Sequence, residues 1–121
     1  VGVYGNFGQT NYAATKFGVI GFTKTWSREL GPKGVRVNAV LPAEVLTPMY
    51  DAWLDTFPNR AEKLAEITRR IPLGQRMTLD TEMADTVVFT LSPRAGHTTG
   101  QWLFVDGGYV HLDRAMAGLR D

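Results

Sequence analysis

Apolar residues recur at helical spacing through residues 10–30, after a short polar stretch and Ala13-Ala14. This pattern predicts one long helix over residues 10–30, which the turn-forming segment Gly31-Pro32-Lys33-Gly34 ends. The larger apolar side chains of the helix are Phe17, Ile20, Phe22, Trp26 and Leu30. Because they surround the helix, we expect it to be buried on more than one side.

Two runs rich in β-branched and aromatic residues predict strands. Residues 35–41 form the first, which Pro42 ends, and residues 101–105 form the second. The pair Gly107-Gly108 then permits a sharp turn and a close approach of the backbone. Strands that alternate with helices predict an α/β fold with a parallel sheet. Because two strands do not make a stable sheet, and the chain begins with Val1 and not Met, we expect the C-terminal half of a larger domain.

Two short helices are predicted within residues 49–77. The first has an apolar stripe and ends at Pro58; the stripe consists of Met49, Trp53, Leu54 and Phe57. The second begins after Asn59, where Glu62 three residues later is typical of a capping box. Its buried face is expected to hold Leu64, Ile67 and Ile71, and its last turn is expected to hold the solvated pair Arg69-Arg70.

A further helix is predicted from Thr78 or Asp80 to Leu91, before the break at Ser92-Pro93. Its apolar positions are Met83, Ala84, Val87, Val88 and Leu91. Because they recur at helical spacing, we expect them to face inward.

Charge and composition remove several classes of function. Thirteen basic residues against twelve acidic ones give a net charge of +1, without charge runs, so neither nucleic acid nor a membrane surface is a predicted partner. The absence of Cys agrees with a reducing, cytoplasmic location. No apolar run has the length of a membrane span. His97 and His111 lack neighbouring ligands, so no metal site is predicted.

The candidate chemistry lies on the first helix. Tyr12 and Lys16 are four residues apart, so they share one face of the helix. A phenol is a weak base at neutral pH because its ordinary pKa is about 10, and a neighbouring positive charge lowers that pKa. The pair can therefore act as a general acid and base on an alcohol or a carbonyl. A solvated Lys beside a half-buried Tyr is the alternative interpretation of the pair taken alone.

Three motifs together resemble the short-chain dehydrogenase/reductase family. They are Gly-Gln-x-Asn-Tyr-Ala-Ala-x-Lys at 8–16, Val-Arg-Val-Asn-Ala-Val-x-Pro at 35–42, and Thr-Gly-Gln-x-x-x-Val-Asp-Gly-Gly at 99–108. The resemblance implies the C-terminal half of a Rossmann-type doubly wound parallel sheet that binds NAD or NADP. The Gly-rich phosphate turn of the family and its substrate-polarising serine would precede Val1.

The resemblance also implies roles for individual residues. Tyr12 and Lys16 would be catalytic and would also contact the cofactor. The loop after the first strand would hold the nicotinamide through Pro42, Val45 and Thr47, and Gln9 and Glu44 would contact the substrate. The family commonly has Gly where this chain has Ala43, which is costly only if the φ angle there is positive. The helix over residues 10–30 would form a homo-oligomer, a dimer or tetramer, and residues 49–77 would form a lid over the substrate.

Glu44 bears on the substrate class. A carboxylate at this position can accept hydrogen bonds from a polyhydroxylated substrate, and the region around Thr47-Pro48 is similar to sugar dehydrogenases of the L-fucose dehydrogenase kind. The alternative is that Glu44 points to solvent or pairs with a local Arg. A 3-oxoacyl thioester is the other substrate class left open. The chain alone is expected to be inactive, so an oligomerisation or binding module is the competing hypothesis.

Overall fold

The computed structural model describes residues 10–109, with side chains from residue 14 onward. In chain order the elements are α1 (Thr10–Leu30), a 3₁₀ turn (Gly31–Lys33), β1 (Ala39–Pro42), β2 (Val45–Leu46), α2 (Pro48–Leu54), α3 (Arg60–Thr68), β3 (Thr78–Leu79), α4 (Asp80–Leu91), a second 3₁₀ turn (Pro93–Ala95) and β4 (Trp102–Val105). β1 pairs with β4, and β2 pairs in parallel with β3. The predicted α/β class is confirmed.

The described residues form two compact units. The first comprises residues 10–40 and 88–103, and the second comprises residues 41–87 and 104–109. The second unit has a core of Ile71, Met77 and Tyr109. Within residues 10–109, no helix combines the length and the apolarity that crossing a bilayer requires.

Helix α1 has the predicted bounds. Ile20 and Thr23 are buried, whereas Phe17, Phe22 and Trp26 are each about half exposed. Phe22 and Trp26 stack on each other with ring centroids 5.1 Å apart. Residues 10–109 therefore leave an apolar face of α1 uncovered, and its burial against a second subunit stays a prediction.

The first strand is shorter than predicted. Residues 35–38 lie outside β1, and side chains make part of their link to residues 98–101. The amide of Asn38 donates to the Thr98 carbonyl at 2.9 Å and accepts from the Gln101 N–H at 3.1 Å. The Val37 N–H is bound by the Thr99 hydroxyl at 3.0 Å. These bonds replace ladder contacts that a regular strand would make between backbones, and so the β-rich run is not a strand throughout.

Arg36 fastens the same region to the end of α4. Its guanidinium donates to the carbonyls of Thr90 at 2.6 Å and Ser92 at 3.2 Å. The last carbonyls of a helix have no partner within the helix, so Arg36 satisfies groups that α4 itself leaves open. The second predicted strand is confirmed as β4, whereas the two-residue strands β2 and β3 were not predicted, because such short segments have no periodicity.

The predicted positions of helices α2 and α3 are confirmed, whereas the end of α2, its apolar stripe and the cap of α3 differ from the prediction. Helix α2 ends at Leu54 and not at Pro58, and of its predicted stripe Leu54 is fully buried while Met49 is 83% exposed. The predicted capping box of α3 is wrong, because the side chain of Asn59 makes no cap hydrogen bond. The predicted apolar face of α3 is partly buried, and Ile71, which is fully buried, lies beyond the end of the helix.

That face consists of Leu64 and Ile67, which pack on Ile71. Helix α3 ends at Thr68, so Arg69 and Arg70 follow it and do not form its last turn.

Helix α4 has the predicted span with a different burial pattern. Val88 and Leu91 are 65% and 76% exposed, and the buried residue is Thr90. The inward orientation predicted for Val88 and Leu91, and likewise for Ala84 and Val87, is therefore wrong in the described chain. Their helical spacing marks a face that residues 10–109 leave uncovered.

The predicted close approach at Gly107 is confirmed. Its φ is +64°, and a Cβ atom there would lie 2.7 Å from Cγ2 of the fully buried Ile71. The Gly107 carbonyl also accepts the Leu73 N–H at 2.9 Å. Only glycine fits both the backbone angle and this contact. The turn after β4 therefore packs directly against the core of the second unit.

Candidate active site

Tyr12 and Lys16 lie on α1, in the first unit. The helix is continuous from Thr10 to Leu30, so the two residues are one turn apart on the same face, as predicted. The Lys16 side chain is exposed. The side chain of Tyr12 and all of Gln9 lie outside the described residues, so the contact between phenol and ammonium stays a prediction.

The loop after β1 belongs to the second unit and contains the other predicted site residues, which are Pro42, Glu44, Val45 and Thr47. Pro42 is the last residue of β1 and is exposed. In the described chain the non-glycine residue with a positive φ is Gln75, so Ala43 lies outside the left-handed region. Alanine at this position therefore introduces no backbone strain.

The backbone of this loop is fixed by a parallel bridge. Val45 lies opposite Thr78 in the β2–β3 pair, and the Glu44 carbonyl accepts the Thr78 N–H at 3.0 Å. The segment that carries the predicted cofactor and substrate contacts is thus held from outside the loop. The sequence analysis did not predict this pairing between the loop and β3.

Thr47 is the N-cap of α2. Its hydroxyl oxygen accepts the Tyr50 N–H at 3.2 Å, and its backbone is extended, as N-cap residues typically are. Pro48 follows at the first helical position, where a missing N–H costs nothing. In the described contacts the Thr47 hydroxyl acts only as an acceptor, so its proton can be donated to a ligand.

Glu44 accepts a hydrogen bond from the Tyr50 hydroxyl at 2.6 Å. Both side chains are half-buried, and the bond connects the loop to the first turn of α2. The sequence analysis did not consider this contact, and a pair between Glu44 and a local Arg stays a prediction. The signal that could have found it is the Thr47-Pro48 helix start, which places Tyr50 in the first turn beside the loop.

Helices α2 and α3 are joined through Arg60. Its guanidinium binds the carboxylates of Asp51 and Asp55, the latter at 2.6 Å. The hydrogen bond that Arg60 donates to Asp51 raises the pKa of Arg60, and the group stays charged. The two helices predicted to form a lid are therefore linked by a charged cross-connection, while motion of the segment stays a prediction.

A cavity of about 310 Å³ lies in the second unit, near Arg76, Phe104 and Asp106. No predicted catalytic, cofactor or substrate residue lines it. Its one basic lining residue, Arg76, is already bound to both carboxylate oxygens of Glu82, at 2.7 and 2.8 Å. The predicted site residues that the structure describes lie on α1 and on the loop after β1, and they do not line this cavity.

Residues 10–109 contain no group of three or more His, Cys, Asp or Glu side chains that could hold a metal ion. His97 is exposed, and His111 lies outside the described residues. The residues predicted for the site from sequence offer a phenol, an ammonium, hydroxyl groups and a carboxylate.

Comparison with known proteins gives a consistent result. The family model described as enoyl-(acyl carrier protein) reductase matches residues 2–110. The 3-oxoacyl-[acyl-carrier-protein] reductase FabG of Thermotoga maritima is 47% identical over 110 residues, which cover 91% of this chain and 42% of the relative. The short-chain reductase protein NovJ of Streptomyces niveus is 43% identical over 109 residues, 89% of this chain and 41% of the relative. The chain thus spans about two fifths of the length of these relatives.

Solved structures agree in fold. The crystal structure of Cj0485 dehydrogenase is similar at 53% identity and a TM-score of 0.89, over 94% of this chain and 44% of that one. An oxidoreductase of the short-chain dehydrogenase/reductase family from Burkholderia thailandensis is similar at 31% identity and a TM-score of 0.79, over 98% and 44% of the two chains. The predicted Rossmann-type fold class is confirmed by these likenesses.

Proposed function

The chain belongs to the short-chain dehydrogenase/reductase family, and on that premise we propose that the intact enzyme containing it is an NAD- or NADP-dependent oxidoreductase. The reaction interconverts a secondary alcohol and its carbonyl. The nicotinamide cofactor accepts or supplies the hydride. The residues of this chain bind and orient the cofactor and the substrate, and they transfer the proton.

One observation carries the proposal: α1 is a continuous helix through Tyr12 and Lys16, inside a chain of this family. In the oxidation direction, Tyr12 accepts the hydroxyl proton of the alcohol as hydride leaves the carbon. In the reduction direction, it returns that proton to the carbonyl oxygen. Lys16 favours the phenolate through its positive charge, which brings the acid–base group closer to the working pH.

The loop residues fit a nicotinamide carboxamide. A carboxamide needs both donors and acceptors. The Thr47 hydroxyl has a proton to donate, because its described bond from Tyr50 uses only its oxygen. Pro42 and Val45 precede Thr47 in the same segment, in which Val45 pairs with Thr78 of β3. We assign Pro42, Val45 and Thr47, with Tyr12 and Lys16, to cofactor binding.

For the substrate we propose a sugar or another polyol, bound through Glu44 and Gln9. The Glu44 carboxylate is half-buried and accepts a hydrogen bond from the Tyr50 hydroxyl. A carboxylate has two oxygens that can each accept more than one hydrogen bond, so it can also accept hydrogen bonds from substrate hydroxyls.

The second candidate substrate is a 3-oxoacyl thioester. It is favoured by the names of several relatives, which are 3-oxoacyl-[acyl-carrier-protein] reductases. Both candidates use the same hydride chemistry and differ only in what surrounds the reacting carbon. The Glu44 carboxylate distinguishes them, because it suits a polyhydroxylated substrate and contributes little to an acyl chain.

A substrate comparison tests the proposal. The intact enzyme is assayed for NADH or NADPH formation with 6-deoxyaldoses and with a simple secondary alcohol, and for NADPH or NADH consumption with an acetoacetyl thioester. We expect turnover of the sugar, and we expect Glu44→Ala to raise its KM about tenfold or more while the KM of the simple alcohol changes little.

Glu62→Ala is the matched control, since Glu62 is an exposed carboxylate in the first turn of α3. It should leave both KM values unchanged. Turnover of the thioester alone would favour the second candidate, and equal effects of Glu44→Ala on both alcohols would remove Glu44 from substrate binding.

We also propose that the enzyme is a homo-oligomer that associates through α1. The support is the exposed apolar face of that helix, where Val19, Phe22 and Trp26 recur at positions i, i+3 and i+7. A cytoplasmic location stays a prediction from the composition.

A further inference from the structure

The bond between Tyr50 and Glu44 has a role beyond stability. We propose that Tyr50 is a positioning residue, whose hydroxyl holds the Glu44 carboxylate in the orientation that receives a polyol substrate. The inference rests on the proposed function of Glu44 and adds a residue on α2 to the determinants of substrate selectivity.

The first step is that the Glu44 backbone does not need this bond. Its carbonyl accepts the Thr78 N–H at 3.0 Å, and the next residue, Val45, pairs with Thr78 in the β2–β3 bridge. The loop position is therefore set without Tyr50. The phenol hydroxyl of Tyr50 acts instead on the Glu44 side chain, to which it donates at 2.6 Å.

The second step is that Tyr50 is itself held in place. Its N–H is bound by the Thr47 hydroxyl at 3.2 Å, and its ring packs on the Ile71 core. The ring also meets Trp53 edge-on, with centroids 5.4 Å apart. A donor that is fixed by a helix cap, a core and an aromatic neighbour can fix the direction of a flexible carboxylate.

The third step concerns the binding free energy. A glutamate side chain loses rotamer entropy when a ligand orders it, and ordering it in advance lowers that cost. A carboxylate accepts several hydrogen bonds, so the bond from Tyr50 is compatible with another from a substrate hydroxyl. Tyr50 therefore acts on substrate affinity and not on the hydride step.

The test uses Tyr50→Phe in the intact enzyme, which removes one oxygen atom and keeps the ring. We expect the KM for the sugar to rise about 5- to 30-fold with kcat within about twofold, and the KM for a simple secondary alcohol to stay unchanged. In a Glu44→Ala background, Tyr50→Phe should add no further increase, because it acts through Glu44.

Thr56→Val is the matched control. It removes another hydroxyl close to α2, one that donates to the Trp53 carbonyl at 2.6 Å, and it should leave the sugar KM unchanged. If Tyr50→Phe does not fold, Tyr50→Met fills the site without a hydroxyl and serves the same comparison.

The outcomes are distinct. An unchanged sugar KM, an equal rise for the simple alcohol, or additive effects of the two substitutions would overturn the inference while the proposed function stands. A parent enzyme that does not turn over any polyol would overturn both.

Discussion

The Glu82 side chain caps the first turn of α4, and the same contacts lower its pKa. One carboxylate oxygen accepts the Leu79 N–H at 2.9 Å, and both oxygens bind Arg76. Leu79 directly precedes α4 and Glu82 is its third residue, which is the reciprocal half of a capping box. The hydrogen bonds from Arg76, and next from the Leu79 N–H, lower the pKa of Glu82 from 4.5 to about 2.

This pKa predicts how stability depends on pH. A carboxylate with a lowered pKa in the folded state stabilises the fold above its unfolded pKa of 4.5, and this contribution is lost as pH falls toward about 2. Glu82→Gln should therefore lower the melting temperature at neutral pH, and the difference from the parent should shrink steadily below pH 4.5. Thermal unfolding followed by circular dichroism from pH 7 to pH 2 measures it.

Glu62→Gln serves as the control, because Glu62 occupies the first turn of α3 without a side-chain cap from its N-cap residue. It should show a much smaller difference at neutral pH. A Glu82→Gln difference that stays constant down to pH 2 would contradict the assigned role.

At the residue scale, the sequence pattern predicted the start of α3 but wrongly predicted a capping box there, for a physical reason. Asn59 and Glu62 have the spacing of a capping box, but Asn59 has φ −114° and ψ +66°, outside the extended region that directs an N-cap side chain toward the helix. At α4 the N-cap position is Leu79, which has no acceptor, so a search for Ser, Thr, Asp or Asn passes over it. The glutamate half of the motif still forms there.

At the scale of elements, hydrophobic periodicity predicted the bounds of the helices better than it predicted which of their side chains are buried. The bounds of α1 and the span of α4 agree with the sequence prediction, because helix periodicity and stop signals are local properties. Phe22, Trp26 and Val88 are nevertheless largely exposed, because burial depends on what covers a face. The strand predicted over residues 35–41 begins only at Ala39. The side chains of Arg36 and Asn38 bind the carbonyls of Ser92 and Thr98, and β propensity does not detect such contacts.

The exposed face of α1 gives a prediction about assembly. Phe22→Glu puts a charge into the apolar strip of Val19, Phe22 and Trp26, and we expect it to weaken association of the intact enzyme about tenfold or more. Sedimentation velocity across a range of concentrations measures the change.

Arg28→Glu introduces the same charge at an exposed position on the other side of the same helix, and it should leave the assembly intact. An unchanged oligomer distribution for Phe22→Glu would show that this face is not the interface.

At the scale of the whole molecule, motifs and geometry contributed different parts of the candidate site. The motifs at 8–16, 35–42 and 99–108 identified the family, and with it Tyr12, Lys16 and the loop that contains Thr47. They did not identify Tyr50, because its contact with Glu44 depends on where α2 begins relative to the loop. A motif contains residues that a family shares, whereas this contact follows from the fold of one chain.

The central claim is that Tyr12, assisted by Lys16, transfers the proton of the reaction. The most direct measurement is the turnover of Tyr12→Phe in the intact enzyme, together with its affinity for NAD(H) and NADP(H) by isothermal titration. We predict that kcat falls about 100-fold or more while the cofactor still binds with nearly the parent affinity. Turnover within about tenfold of the parent would contradict the assignment of Tyr12 as the acid and base.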